Sequence, residues 1–233
     1  MNAKLATAAL QKLADPTKAA MNARFFKTKK GEYGYGDIFL GVTMPEMRCV
    51  AKTFIDLSLS EIQKLLKSPV HEVRMIGFII LTYQYEKGTE KAQKNIIDFY
   101  LKNLKRANNW DLVDVSCAKI LGDFLIGKKK DILLKLAASS NLWEQRVSIV
   151  STHAFIREND LTMTMRLAKQ LLGHQHDLMH KAVGWMLREA GKRDVAILKQ
   201  FLDAHAVKMP RTMLRYAIEK FDEKNRQRYL KKR

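Results

Sequence analysis

Apolar residues recur at helical spacing along nearly the whole chain, interrupted by short polar breaks. The pattern predicts helices over 2–14, 16–27, 44–56, 58–67, 69–87, 89–105, 109–126, 129–138, 141–157, 160–172, 176–191, 194–205, 209–220 and 222–231. Capping residues mark many of the starts. Asp15 precedes Pro16, an N-cap followed by proline at the first helical position. Thr43 with Glu46 and Ser58 with Glu61 read as capping boxes, Ser68-Pro69 opens another helix, and Asn141 with Glu144 repeats the box logic. The longer helices begin near 69, 109, 141 and 176, at intervals of about 32 to 40 residues, the period of helical-pair repeats. Stacked pairs make an all-α superhelix, an α-solenoid with one concave face, running as a single repeat domain over 1–233.

One stretch breaks the rhythm. KTKKGEYGYGDIFLGV (27–42) carries four glycines, with Tyr33, Tyr35, Ile38 and Phe39 between them. It reads as a β-hairpin or loop insertion. It is either a flexible connector or a basic, aromatic finger that touches nucleic acid. GEYGYG does not match GxGxxG and follows no strand, so a nucleotide-binding fold is not expected.

Charge changes the picture most. The 42 Lys and Arg outnumber the 24 Asp and Glu, for a net charge of +18. Such a surface attracts polyanions, nucleic acid first and an anionic membrane surface second. The longest uncharged run, 75–85, is too short to cross a bilayer, and the N-terminus has no signal-peptide core, so a cytoplasmic protein is expected. Cys49 and Cys117 both fall in apolar helical patterns and read as small buried side chains in a reducing compartment.

Three strings combine aromatic and charged residues. In NNWDLVD (108–114), Trp110 and Asp114 are four residues apart and share a helix face, which Cys117 and Leu121 continue. A carboxylate beside an indole suits a site for positive charge; a packed tryptophan with an acid near a helix N-terminus is the plainer alternative. In HKAVGWMLREAGKR (180–193), Lys181, Trp185 and Arg188 form a basic–aromatic–basic stripe opposite Val183, Met186, Leu187 and Ala190. That stripe suits a nucleic-acid backbone, or a core indole with a snorkelling rim. In LWEQRVSIV (142–150), Arg146 lies early in a long helix one repeat after Trp110. Stacking then predicts Trp110, Asp114, Arg146, Trp185 and Arg188 along the basic concave groove. The histidines of HQHDLMH (174–180) read as surface residues near a helix start, since HExxH and a fourth ligand are missing. GKKKD (127–131) is a solvated connector rather than a phosphate loop, and no GxSxG elbow occurs.

NNWDLVDVSCAKILGDFL, NLWEQRVSIV and KAVGWMLREAGK resemble segments of the AlkD-type DNA alkylation-repair glycosylases. FLGVTMPEMRCVAK (39–52) is similar to that family's LGxxxPExR-type segment, and NARFF (22–26) precedes it. The likeness runs over roughly residues 15 to 220. It implies a HEAT-like repeat fold and a monofunctional glycosylase that removes N3- and N7-alkylated purines from double-stranded DNA, with no metal or cofactor. By position it implies Asp114 as the catalytic carboxylate, with Trp110 and Trp185 beside the lesion's deoxyribose. Arg146 matches a backbone-holding cation and Phe25 an N-terminal aromatic, and Arg188, in the matching GWxLRE string, has a supporting role; Lys181 joins the DNA-binding residues from the 180–193 stripe alone. A monomer is expected. Two departures bear on activity. Asn109 stands where some members carry a second tryptophan, and the KTKKGEYGYGD insertion occurs in only part of the wider family. Some relatives with such an insertion bind branched DNA without excising bases, so a non-catalytic binder on the same fold is the alternative. A protein-binding helical scaffold is a third.

Overall fold

The computed structural model describes residues 1–232. It is an all-α helical repeat structure, and its residues cluster into two compact units, Met1–Ile120 and Leu121–Arg233. The first unit holds α1 (Ala3–Gln11), α2 (Pro16–Phe25), α3 (Met44–Thr53), α4 (Leu59–Leu66), α5 (His71–Lys87), α6 (Glu90–Lys102) and α7 (Trp110–Cys117). Helix α5 is its spine and packs against α3, α4, α6 and α7. Every residue from His71 to Thr82 is buried, as expected of a helix apolar on all sides. Its first turn breaks that rule with three buried polar residues, His71, Glu72 and Arg74. Glu72 accepts backbone N–H bonds from Leu40 (3.0 Å) and Gly41 (2.9 Å). Gly41 is in the left-handed region (φ +81°), and a Cβ there would lie 2.2 Å from the Asp15 carbonyl oxygen.

The second unit holds α8 (Asp131–Ala137), α9 (Leu142–Val150), α10 (His153–Arg157), α11 (Thr162–Gln170), α12 (Asp177–Arg193), α13 (Val195–His205), α14 (Arg211–Ala217) and α15 (Glu223–Leu230). Helix α12 is central and packs against α9, α13 and α14. Val183, Met186, Leu187 and Ala190 are fully buried, as the stripe opposite Trp185 predicts. Gly184 permits the tight α12–α14 crossing. A Cβ there would sit 2.5 Å from both the Met213 carbonyl oxygen and Tyr216 Cβ. Gly184→Ala is expected to destabilise the protein by about 1–3 kcal/mol, because backbone must move; urea denaturation checks this.

Several boundaries differ from the sequence expectation, for identifiable reasons. The helix expected at 69 begins at His71. Pro69 and His71 are held in a parallel bridge by Ile38, which donates to the Pro69 oxygen (3.2 Å) and accepts from His71 N (2.8 Å). Thr43 and Glu46 form the expected box, with Thr43 N donating to the Glu46 carboxylate at 2.8 Å. At Ser58 the box is not reciprocal: Glu61 instead accepts from Ala3 N at 2.8 Å, tying α4 to α1. The helix expected over 109–126 turns π-helical at Ala118–Gly122, and that over 141–157 is interrupted at Ser151–Thr152. Residues 27–42 are neither a hairpin nor a free connector. They form successive turns, and the single bridge through Ile38 docks their end onto α5. Cys117 is buried as expected, but Cys49 is exposed on the outer side of α3. No helix among the described residues is long and apolar enough to cross a membrane.

Candidate nucleic-acid interface and active site

The structure places the singled-out residues in both units: Phe25, Trp110 and Asp114 in the first, and Arg146, Lys181, Trp185 and Arg188 in the second.

In the first unit, Asn109 starts α7. Its side-chain oxygen accepts from Trp110 N at 2.8 Å, which satisfies one orphan donor of the first turn. Trp110 and Asp114, one turn apart, are both half-buried. Phe25 is 64% exposed and meets the Trp110 indole edge-on, with ring centroids 6.0 Å apart. Its neighbour Phe26 is buried and stacks on the same indole at 5.3 Å. Phe26 also stacks on Phe39 at 5.0 Å, and Phe39 on the His71 imidazole at 4.7 Å. Trp110 is thus the outer member of an aromatic column rooted in the core. The column lines a cavity of about 350 Å³, together with Met21, Met44 and Met47.

A buried charge network underlies the column, and sequence reasoning missed it. His71 Nδ1 is 3.1 Å from Asp37 Oδ2, and its Nε2 is 2.8 Å from Asp111 Oδ2. Burial alone would lower the His71 pKa, but hydrogen bonds to Asp111 and Asp37 override it and push the value up to about 9. His71 is therefore an imidazolium near neutral pH, donating one N–H to each carboxylate. Arg74 donates to Asp37 at 2.6 Å and to the Ser68 carbonyl at 2.9 Å. Burial raises the Asp37 pKa, and His71 and Arg74 together outweigh it, holding the carboxyl below its ordinary range. Asn108 and Asn109 both donate to Asp37 at 3.3 Å. Asn109 thereby bonds the last residue of the KTKKGEYGYGD segment, joining the start of α7 to the glycine-rich stretch. The one local signal for this network was Asp111, the second acid of NNWDLVD.

In the second unit, Arg146 is 5% exposed and donates to the Leu178 carbonyl at 2.8 Å, at the start of α12. It is a largely buried cation, not the open groove residue expected from repeat stacking. Trp185 is half-buried, and its indole lies 6.0 Å from the His153 ring. Burial, then the Arg157 charge, lowers the His153 pKa, so this ring is neutral beside the indole. Arg188 is engaged by Glu189 and Glu219, and Lys181 pairs with Asp177 at 2.8 Å. The histidines of 174–180 are half-buried and structural rather than surface residues. His176 Nδ1 accepts from Leu178 N at 3.1 Å as the N-cap of α12, and His174 Nε2 lies 2.8 Å from Gln145 Oε1. Lys128 and Lys129 of GKKKD are exposed, while Lys130 pairs with Asp160 at 3.2 Å.

A family model described as "DNA alkylation repair enzyme" matches residues 6–221. Among solved structures, the chain is similar to one described as "Predicted DNA alkylation repair enzyme from Enterococcus faecalis". The TM-score is 0.69 at 15% identity, over 90% of this chain and 97% of that one, a likeness of fold. No curated protein matches the sequence significantly.

Proposed function

Because this chain belongs to the DNA alkylation repair enzyme family, we propose that it is a monofunctional glycosylase releasing N3- and N7-alkylated purines, such as 3-methyladenine and 7-methylguanine, from duplex DNA. The observation that carries this reading is the half-buried Trp110–Asp114 pair on α7, with the Phe25 ring against the indole. An alkylated purine is cationic and leaves as a neutral base, so its glycosidic bond is already weakened. The enzyme must stabilise a sugar with oxocarbenium character and admit water. Asp114 supplies the opposing negative charge and orients or deprotonates the water. The Trp110 indole adds cation–π attraction of about 0.5–2 kcal/mol. In the second unit, Trp185 is assigned to the deoxyribose and Arg188 and Lys181 to the DNA backbone, while the largely buried Arg146 supports them indirectly by holding the start of α12 through the Leu178 carbonyl. Lys181 and Arg188 exchange their present carboxylate partners for phosphates on binding. The test is chromatographic detection of free 3-methyladenine or 7-methylguanine after incubation with methylated duplex.

The second reading, a non-catalytic binder of branched DNA, draws on the exposed residues of the insertion, Lys27, Lys29, Lys30 and Tyr35. Deleting the insertion would remove Asp37 and disturb the fold, so the cleaner variant replaces the three lysines with glutamine. A branched-DNA binder would lose its junction preference in that variant without losing duplex binding. For either DNA reading, affinity should fall steeply with added salt. Fluorescence anisotropy should show about a 10³–10⁵-fold loss between roughly 50 and 200 mM salt for 6–10 phosphate contacts, and a flat response would instead favour a protein-binding scaffold.

A further inference from the structure

A second cavity of about 350 Å³ opens in the first unit, apart from the one beside Trp110. Its lining comes from three separate segments. Lys67 follows α4, Lys105 and Arg106 form part of the 3-10 turn Leu104–Arg106, and Tyr35 comes from the insertion. Arg74, Asn108, Asp37 and Pro69 are also in the lining. Lys67, Lys105 and Arg106 are exposed, and none of them forms an ion pair among the described residues. Arg74 is buried, and its only carboxylate partner among the described residues, Asp37, is shared with His71. Its Nε is buried with no hydrogen-bond partner. The cavity therefore holds four cationic side chains against one carboxylate that is already neutralised from within.

Like charges brought to one cavity repel, and most lysines and arginines elsewhere on a surface spread out or pair with acids. A concave site with an uncompensated positive field selects an anion. Asn108 adds a neutral hydrogen-bonding group, and the lining is more polar than apolar, with Tyr35 and Pro69 as its apolar members. Guanidinium and ammonium donors arranged in this way fit the tetrahedral oxygens of a phosphate.

We propose that Lys67, Lys105 and Arg106 converge on a single phosphate group of bound DNA, held in this cavity beside the insertion. The proposal rests on the chain binding DNA, not on base release. It makes a quantitative distinction. Three cations on one phosphate release the counterions of one phosphate, whereas three cations on separate phosphates release three times as many.

The test is the salt dependence of duplex binding by the full chain and its Lys67→Gln, Lys105→Gln, Arg106→Gln and triple variants. All three side chains are exposed, so the variants should fold, and thermal melting confirms it. The slope of log K against log salt should fall in magnitude by about 1 in the triple variant. Each single variant should lose affinity, with combined losses smaller than the sum of the singles. A fall of about 3, additive over the singles, would show separate surface contacts and overturn the proposal; so would an unchanged slope. Duplexes with 5′-phosphate and 5′-hydroxyl ends distinguish the source. Equal losses identify a backbone diester, and losses confined to the phosphorylated duplex identify a terminal monoester. A wild-type protein that binds no DNA would instead reject the DNA-binding premise.

Discussion

Asp114→Asn should reduce base release from methylated duplex by at least about 10²-fold while leaving duplex affinity nearly unchanged. Asparagine keeps the shape and the half-buried position on α7 but removes the charge that opposes a developing oxocarbenium ion. It also removes the base that can take a proton from water. The two effects act on the transition state, so the loss should appear in the single-turnover rate rather than in binding. Trp110→Ala should be milder in rate but broader in effect. It removes the outer ring of the Trp110–Phe26–Phe39–His71 column, so a loss of stability is expected with it. Trp110→Phe keeps an aromatic face and should restore most of that stability, which separates support of the site from support of the fold.

The second large effect is structural. Asp37→Ala should destabilise the protein by about 3–5 kcal/mol, because it leaves the His71 imidazolium and the Arg74 guanidinium buried without their shared carboxylate. A matching pH dependence follows from His71. Its pKa is raised in the folded state to about 9 from an ordinary 6.5, so protonated His71 stabilises the fold. That contribution is fully present below pH 6.5 and is lost as pH rises through about 9. It amounts to about 3 kcal/mol for a shift of this size. Asp37 acts oppositely. Its pKa is lowered, so its contribution holds above the ordinary carboxylate range and disappears as acid protonates it. Urea denaturation from pH 6 to 10 should show the His71 loss in the wild type. The same slope in His71→Gln would reject this assignment.

Helices were legible because their information is local. Apolar spacing, Asp15-Pro16, the Thr43–Glu46 box and the Asn141 cap are each read within a few residues, and the structure uses all of them. The buried face of α12 was equally legible, since Val183, Met186, Leu187 and Ala190 recur at helical spacing. The failures were non-local. Nothing near Pro69 reveals that Ile38, about thirty residues away, fixes its backbone and delays the helix start. Asp37, His71 and Asp111 lie 34 and 40 residues apart in sequence, so no spacing rule could join them. Arg146 looked like a groove cation because a repeat pattern gives the direction of a helix face but not the depth of a side chain. The resemblance marks Phe25 as an N-terminal aromatic, and its ring does meet Trp110, but nothing in the sequence signals that the buried Phe26 beside it stacks on the same indole. Cys49 was misassigned for a simpler reason: α3 turns only part of its circumference inward, at Met47, Val50 and Ala51.

The most direct measurement is strand analysis of a duplex carrying one 7-methylguanine, incubated with excess protein under single-turnover conditions. The abasic strand should accumulate with wild-type protein and stay near background with Asp114→Asn, although both hold the duplex. A lesion strand that remains intact while fully bound by the wild type would contradict the glycosylase assignment and leave only the binding role.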